Sequence, residues 1–397
     1  LFCRILFTNP VLILIILRSL LSKTSNFLLI LIILLLFFSD INDINFFLMI
    51  LYNKKMQILL RKEFLNSVYY WLFSILILIG LIVIVGGLTR LTDSGLSITR
   101  WDVVSGIFPP FSERAWDEAF NLYKKIPQFY LAKSDITMSE FKTIYYWEYF
   151  HRILGRVLGL VFVIPLLFFY YKKVFTKEYN IKFLLLFLLI LIQGTVGWYM
   201  VKSGLVEDIT VSHYRLAVHL NLALILFSAT FWYLLNLKNL KNKIFFNFSK
   251  KSIYLKIFIL SIFLQITFGA FTSGLDAGMI YQTWPLMDQN YFPDDITFDN
   301  NILDFFNQAS FVQFVHRNLA YLILVYTLTI LFFVLYKHRT HLYNAVFLLV
   351  FIIFIQAFLG IVTLLSGANI VFASMHQLST IFLLLSSIYF YYKSLIQ

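Results

Sequence analysis

The chain has 397 residues, of which 60% are hydrophobic and 13% are charged, about half the charged fraction of an average soluble protein. This balance excludes a soluble globular domain and predicts a polytopic membrane protein. The formal net charge of +12 does not indicate nucleic acid as a partner, because the basic residues lie in short clusters between apolar segments. The single cysteine, Cys3, excludes intramolecular disulfides, C-x-x-C redox motifs and covalent haem attachment.

Residues 1–55 differ in character from the rest of the chain. Their apolar runs, 11–17 and 27–38, are shorter than the roughly 20 residues that a membrane span requires. The second run also fits the hydrophobic region of a signal peptide. We expect that translation starts at Met56 and that residues 1–55 are a spurious or disordered extension without function.

Hydropathy beyond residue 67 predicts an all-α protein with about eight membrane-spanning helices. The connection 236–256 carries six lysines and no acid, whereas 274–308 carries six aspartates and no Lys or Arg. Because Lys and Arg are enriched in cytoplasmic connections, we expect both termini in the cytoplasm and the long connections 89–146 and 274–308 outside. Within the first of these, Glu113–Lys125 fits a short helix on the membrane surface. The expected spans are 68–88, 147–171, 181–201, 212–235, 253–273, 309–336, 342–365 and 370–392.

The two halves of this region repeat each other. Four spans separate the copies, an even number, so the halves share one orientation and their pseudo-twofold axis lies along the membrane normal. The sequence therefore predicts two tandem four-helix bundles, residues 56–251 and 252–397. The matching residues are Gly86, Thr89, Asp93, Gly95 and Trp101 with Gly269, Thr272, Asp276, Gly278 and Trp284, and Gln193, Gly197, Ser203 and Gly204 with Gln356, Gly360, Ser366 and Gly367.

Histidines lie near the start of every even-numbered span, at similar expected depth. We expect His151 to face His219 and His316 to face His376, because a haem iron takes axial imidazoles from two facing helices. A lone membrane histidine more often only bonds a neighbouring helix, but four at matching depth favour ligands. His213 is the alternative to His219, since an ungapped alignment of the repeats places it opposite His376.

Two further residue types accompany the histidines. Glu148 precedes His151 by three residues and shares its helical face, whereas Gln313 takes the same place in the second half. This asymmetry favours chemistry in the first unit and electron carriage in the second, although Glu148 also suits a simple ion pair with an arginine. Arg152 and Arg317 suit haem propionates, and equally suit interfacial anchoring.

Together these motifs resemble those of the haem A synthase family, in the cysteine-lacking class found in mitochondria and many proteobacteria. The resemblance covers about residues 66–393. It is carried by GGLTRLTDSGLS (86–97), EYFHR (148–152), YRLAVHL (214–220), FVHR (314–317) and MHQ (375–377).

The resemblance implies an oxidoreductase that converts the C8 methyl of haem O to the formyl group of haem A, through an alcohol, for cytochrome c oxidase. It implies that His151 and His219 flank the substrate haem and that Glu148 is the functional acid of that site. His316 and His376 would ligate a non-covalent bis-histidine haem b that passes electrons.

The same resemblance implies a bacterial inner membrane, or its mitochondrial equivalent, as location. Haem O synthase and an electron-transfer protein are the expected partners, beside haem O, haem A and the lipid bilayer; a homo-oligomer is left open. Two other functions compete. A di-haem b electron carrier would share the histidines but not explain Glu148, and a transporter would interrupt its helices near the membrane midplane.

Overall fold

The computed structural model describes residues 59–100, 105–205, 209–240, 242–245, 252–297 and 302–395. The prediction for residues 1–55 lies outside this part of the chain. The regular elements of this part of the chain are helices, and eight of them are long and apolar enough to cross a membrane, which confirms a multi-pass membrane protein. The eight are α1 (Leu65–Leu91), α2 (Met138–Tyr171), α3 (Lys177–Gly204), α4 (His213–Lys238), α5 (Ile253–Gly274), α6 (Ala309–Tyr336), α7 (Tyr343–Leu365) and α8 (Ile370–Ser394).

Helix α2 begins at Met138, nine residues before the predicted start of its span (147 − 138). The cause is a capping box: the Thr137 side chain accepts from the Glu140 amide, and the Glu140 carboxylate accepts from the Thr137 amide at 2.8 Å. Hydropathy does not register such a cap. His151 therefore lies 13 residues into its helix (151 − 138), not four as expected.

The predicted short helix in the first long connection is present as Glu113–Tyr123. Its apolar side chains are buried: Trp116 and Phe120 pack against Phe141 at the start of α2. The apolar face of this amphipathic helix thus contacts protein, not lipid. This packing holds the first connection against α2.

A proline inside α2 shows how the fold satisfies backbone groups in an apolar setting. Pro165 has no N–H, so the carbonyl of Val161, four residues earlier, loses its helical donor. Trp71 of α1 replaces it, with Nε1 donating to the Val161 oxygen at 3.0 Å. The bond joins α1 to α2 where an unpaired carbonyl would be costly.

The long helices contact one another in two closed cycles. Helix α1 contacts α2, α2 contacts α3, α3 contacts α4, and α4 contacts α1; α5 to α8 repeat this order. The helices α1, α4, α5 and α8 also contact across the two cycles. Within each cycle the second and fourth helices stand diagonally opposite, which places their inward side chains across a shared interior.

A single cation joins the ends of α1 and α5. Arg90 Nη1 binds the Asp93 carboxylate at 2.8 Å, while Nη2 binds the Asp276 carboxylate at 2.9 Å and the Ser273 carbonyl at 2.6 Å. Asp93 and Asp276 are repeat equivalents, and both have positive φ in the turn that follows their helix. The equivalent of Arg90 is Ser273 (90 + 183), so this contact departs from the repeat symmetry.

Candidate functional site

The structure brings the four predicted histidines together in two pairs. The ring centres of His151 and His219 are 6.4 Å apart, and those of His316 and His376 are also 6.4 Å apart. The ring planes within the pairs are inclined by 68° and 84°. Each pair thus joins the second helix of a cycle to the fourth.

This spacing fits a metal held between two imidazoles. With each nitrogen about 2.0–2.1 Å from a shared metal, two opposed imidazole rings have centres roughly 6 Å apart. Among the described residues, no three or more His, Cys, Asp or Glu side chains form a group that could hold a bare metal ion. Two axial nitrogens are what an iron already held by a porphyrin requires, so the donor set fits haem.

His213 lies outside both pairs. It is the first residue of α4 and is buried against Gly274, where an added Cβ would lie 2.5 Å from the Cβ of His213. Its ring packs on Tyr214 and edge-on against Phe271. The helix starts explain the misleading ungapped alignment. Helices α4 and α8 begin 157 residues apart (370 − 213), which aligns His376 with His219.

Each paired histidine rests against a glycine of the preceding helix. A Cβ added to any of these glycines would lie 2.8–3.1 Å from the ring carbon Cε1, closer than side chains ordinarily approach. The pairs are Gly86 with His151 (2.8 Å), Gly197 with His219 (2.8 Å), Gly269 with His316 (3.1 Å) and Gly360 with His376 (2.9 Å). The repeat glycines thus act as seats for the imidazole rings.

Glutamines one helical turn before three of these glycines contact the rings. Gln193 Nε2 lies 3.1 Å from His219 Nδ1, and Gln265 Nε2 lies 3.2 Å from His316 Nδ1. Each also donates to the backbone carbonyl of the same histidine, at 2.9 and 3.0 Å. Each Nε2 also lies 3.4 Å from the second ring nitrogen, so the amide packs alongside the imidazole and limits its rotation.

The two remaining histidines, His376 and His151, differ in their contacts. Gln356 Nε2 lies 3.3 Å from His376 Nδ1, which donates to the Gln356 carbonyl at 3.2 Å. His151 has no such glutamine, since Ile82 occupies the position four residues before Gly86. Its Nδ1 atom is buried and no side chain among the described residues hydrogen-bonds it, although the ring has the backbone of Ile82 as a neighbour. His151 is therefore the one paired histidine that no glutamine amide contacts.

Glu148 is buried and fully engaged. Its Oε2 accepts from Ser97 Oγ and from the Ile98 amide, both at 2.8 Å, and its Oε1 accepts from Arg152 Nη2 at 2.6 Å. Arg152 Nη2 also donates to the Ile98 carbonyl at 3.0 Å. The ion pair between Glu148 and an arginine, one of the two sequence interpretations, is thus present and ties α2 to the first long connection.

The second half repeats this contact without the acid. Arg317 Nη2 donates to the Tyr281 carbonyl at 2.8 Å, and Tyr281 is the repeat equivalent of Ile98 (98 + 183). Gln313 Nε2 donates to the same carbonyl at 3.0 Å, while its buried Oε1 has no partner among the described residues. An amide therefore fits the place that Glu148 holds, but it provides no charge for the arginine.

A cavity of about 270 Å³ lies in the first half between α2, α3 and the first connection, and its lining contains no histidine. Arg152 and Lys202 line it, together with Trp198. Lys202 Nζ lies 4.9 Å from the centre of the Trp198 ring. Leu365 takes the repeat position of Lys202 (202 + 163), so this cation belongs to the first half only. Two cations at a cavity mouth suit carboxylates such as haem propionates.

Comparison with known proteins agrees with this arrangement. The family model COX15-CtaA, described as cytochrome oxidase assembly protein, matches residues 69–388. The chain belongs to this family.

Several members of the COX15-CtaA family named Heme A synthase are similar over most of their length. One from Pelagibacter ubique (strain HTCC1062) is 45% identical over 340 residues, 83% of this chain and 99% of that protein. One from Rickettsia bellii (strain RML369-C) is 40% identical over 320 residues, 79% of this chain and 94% of that protein. One from Rickettsia africae (strain ESF-5) is 38% identical over 328 residues, with 81% and 96% covered. The resemblance expected from the motifs is confirmed.

Sequence reasoning missed the glutamine contacts in this COX15-CtaA protein. Gln193 and Gln356 had been matched as repeat residues without a role, and Gln265 had not been singled out. The available signal was an amide four residues before a repeat glycine, inside an otherwise apolar span. Ser97 was also missed as a partner of Glu148, because 51 residues separate them.

Proposed function

We propose that this protein is a haem A synthase that oxidises the C8 methyl of haem O to a formyl group. The family and the relatives named Heme A synthase support haem A synthesis as the function. The observation that carries the proposal is the pair of imidazole couples, each with its rings 6.4 Å apart. Replacing a methyl by a formyl group removes four electrons and adds one oxygen atom, which makes the enzyme an oxidoreductase acting on a C–H group.

The first half takes the substrate haem, with His151 and His219 on its two faces. Haem O must enter and haem A must leave this site, so at least one ligand has to release readily. His151, which has Ile82 where the other three histidines have a glutamine, suits that requirement. Lys202 and Arg152, which line the cavity between α2, α3 and the first connection, would bind the propionates.

In the second half, His316 and His376 would hold a resident haem b. Both rings contact a glutamine amide, from Gln265 and Gln356, which limits their rotation. When bound, haem b supplies one-electron transfer to and from the first site. Arg317 is the propionate candidate here, although its guanidinium already binds three connection carbonyls.

Glu148 is the acid of the first site. Its carboxylate orients Arg152, which lines the cavity, and its position three residues before His151 puts it near the proposed substrate. If the Ser97 hydroxyl turned away, Glu148 Oε2 would be able to accept a proton from the substrate, and the helix would not have to move. The isosteric Gln313 of the second half lacks that capacity.

From the excess of Lys and Arg in the short connections we infer that both termini lie in the cytoplasm and that both long connections lie outside an inner membrane. The histidine pairs then lie toward the outer face. Haem O synthase as the source of substrate and a one-electron carrier are the partners that this reaction requires. The two cycles of helices support a division into two units, 56–251 and 252–397.

Co-expression with haem O synthase, followed by pigment extraction and mass analysis, tests the proposal. We expect haem A only when this chain is present. His316→Ala should abolish the spectrum of the resident haem b. A protein that keeps two b-type haems and forms no haem A would instead be a di-haem electron carrier.

A further inference from the structure

One side chain lies between the two halves at the level of the histidines. Gln377 of α8 donates from Nε2 to the carbonyl of Val83 in α1 at 2.7 Å. Its amide fills the space beside Gly87, where an added Cβ would lie 1.7 Å from Gln377 Oε1. Any residue larger than glycine at position 87 would expel this amide.

Both ends of this contact adjoin a histidine site. Gln377 directly follows His376, and Gly87 directly follows Gly86, the glycine that seats His151. A continuous series of contacts therefore runs from His376 through Gln377, Gly87 and Gly86 to the ring of His151. Because these contacts are closely packed, a displacement of either imidazole ring would strain the contact between Gln377 and Gly87 that leads to the other ring.

The corresponding contact between α4 and α5 is different. Leu220 follows His219 in the place of Gln377 and packs in the apolar cluster that contains Ala270, the equivalent of Gly87. The polar contact there lies one residue later, where Asn221 Nδ2 donates to Thr267 Oγ1 at 3.1 Å. That bond joins two side chains and leaves the backbone beside the glycine seat untouched.

We propose that Gln377 is a positioning residue that couples the two haem sites, so that filling the first site changes the geometry of the second. The inference rests on the proposed function. A shift of the His151 ring away from Gly86 would relax the 86–87 backbone, and the Gln377 amide would follow it. Because Gln377 is one residue from His376, the His376 ring would turn with it. Such coupling acts in both directions.

The test uses the full-length protein, purified with resident haem b and titrated with haem O. In the wild type, haem O should shift the low-spin electron paramagnetic resonance signal of the resident haem. Gln377→Leu and the more isosteric Gln377→Met should keep the resident haem but reduce this shift to less than about a fifth.

Two further variants separate coupling from general damage. Asn221→Leu removes the polar contact between the other helix pair, and Leu378 holds the equivalent place in α8, so leucine suits the fold. It should leave the shift unchanged. Gly87→Ala should expel the Gln377 amide, and so lower the resident haem content and abolish the shift. The double variant Gly87→Ala, Gln377→Ala has no such overlap, so it should regain the resident haem but still show no shift.

The outcomes distinguish this inference from the proposed function. If the wild type binds both haems but shows no shift, or if Gln377→Leu retains a full shift, the coupling is refuted and the proposed function stands. If Asn221→Leu removes the shift as completely as Gln377→Leu, the effect is general packing and the coupling is again refuted. If the wild type holds no bis-histidine haem, the proposed function itself fails.

Discussion

Replacing Gly360 by alanine tests whether the repeat glycines seat the histidines. The new Cβ would lie 2.9 Å from His376 Cε1, whereas ordinary contacts begin at 3.4 Å, so the ring must retreat by about 0.5 Å. A metal–nitrogen bond tolerates only about 0.2 Å of change. Overpacking of this kind costs about 1–3 kcal/mol, against a gain of about 0.5–1 kcal/mol from removing a helical glycine. The fold should therefore lose up to about 2.5 kcal/mol of stability, and the displaced ring should hold haem less tightly.

Gly159→Ala in α2 provides the matched control, because nothing lies within 4 Å of a Cβ at that position. The substitution gives the same chemical change without the overlap. We expect full haem content and an unchanged or slightly higher thermal unfolding temperature.

The assay measures haem b per polypeptide, the low-spin signal of the iron and thermal unfolding for both variants. Gly360→Ala should lose haem or change its signal, and Gly269→Ala should do so less, because its Cβ would lie 3.1 Å from His316. Wild-type haem content and an unchanged signal in Gly360→Ala would refute the reasoning. Equal losses in Gly159→Ala would refute it too.

Three other substitutions have defined outcomes. Glu148→Gln should preserve the resident haem b spectrum but lower haem A formation at least tenfold, measured by pigment extraction after co-expression; unchanged formation would remove the acid from the mechanism. Gln265→Leu should leave the protein folded but raise the rate at which resident haem transfers to apomyoglobin by about tenfold, and an unaltered rate would show that the amide does not restrain its histidine. Trp71→Phe should leave the Val161 carbonyl without its donor and lower the free energy of unfolding by about 1–3 kcal/mol, measured by denaturation in mild detergent; equal stability would mean that another group satisfies it.

Hydropathy located the membrane helices well because lipid imposes a simple length and polarity rule on each span. It failed at the start of α2, where the cap formed by Thr137 and Glu140 extends the helix beyond the apolar region. Capping depends on local hydrogen bonds, which an average over 20 residues cannot register. The early start changed the residue count before His151 but not its pairing with His219.

The candidate site was predictable to the extent that the repeat exposed it. Duplicated histidines are easily recognised in apolar segments, because ionisable residues are rare there. The roles of Gly86 and Gln377 were not predictable, since each depends on a neighbour far along the chain. The donors to Glu148 Oε2 come from a connection about 50 residues away, and only the folded chain shows that Ser97 reaches it.

Arg90 ties the two repeats together, because its guanidinium comes from the first repeat and binds Ser273 and Asp276 of the second. In a bundle built from two copies of the first repeat, two guanidinium groups would lie beside two aspartates. In a bundle built from two copies of the second repeat, both copies of Asp276 would have a serine at the position of Arg90. Severing the chain between α4 and α5 would therefore give fragments of unequal fate. The C-terminal fragment would keep His316 and His376, the proposed haem b ligands, but its Asp276 carboxylate would lack the Arg90 guanidinium.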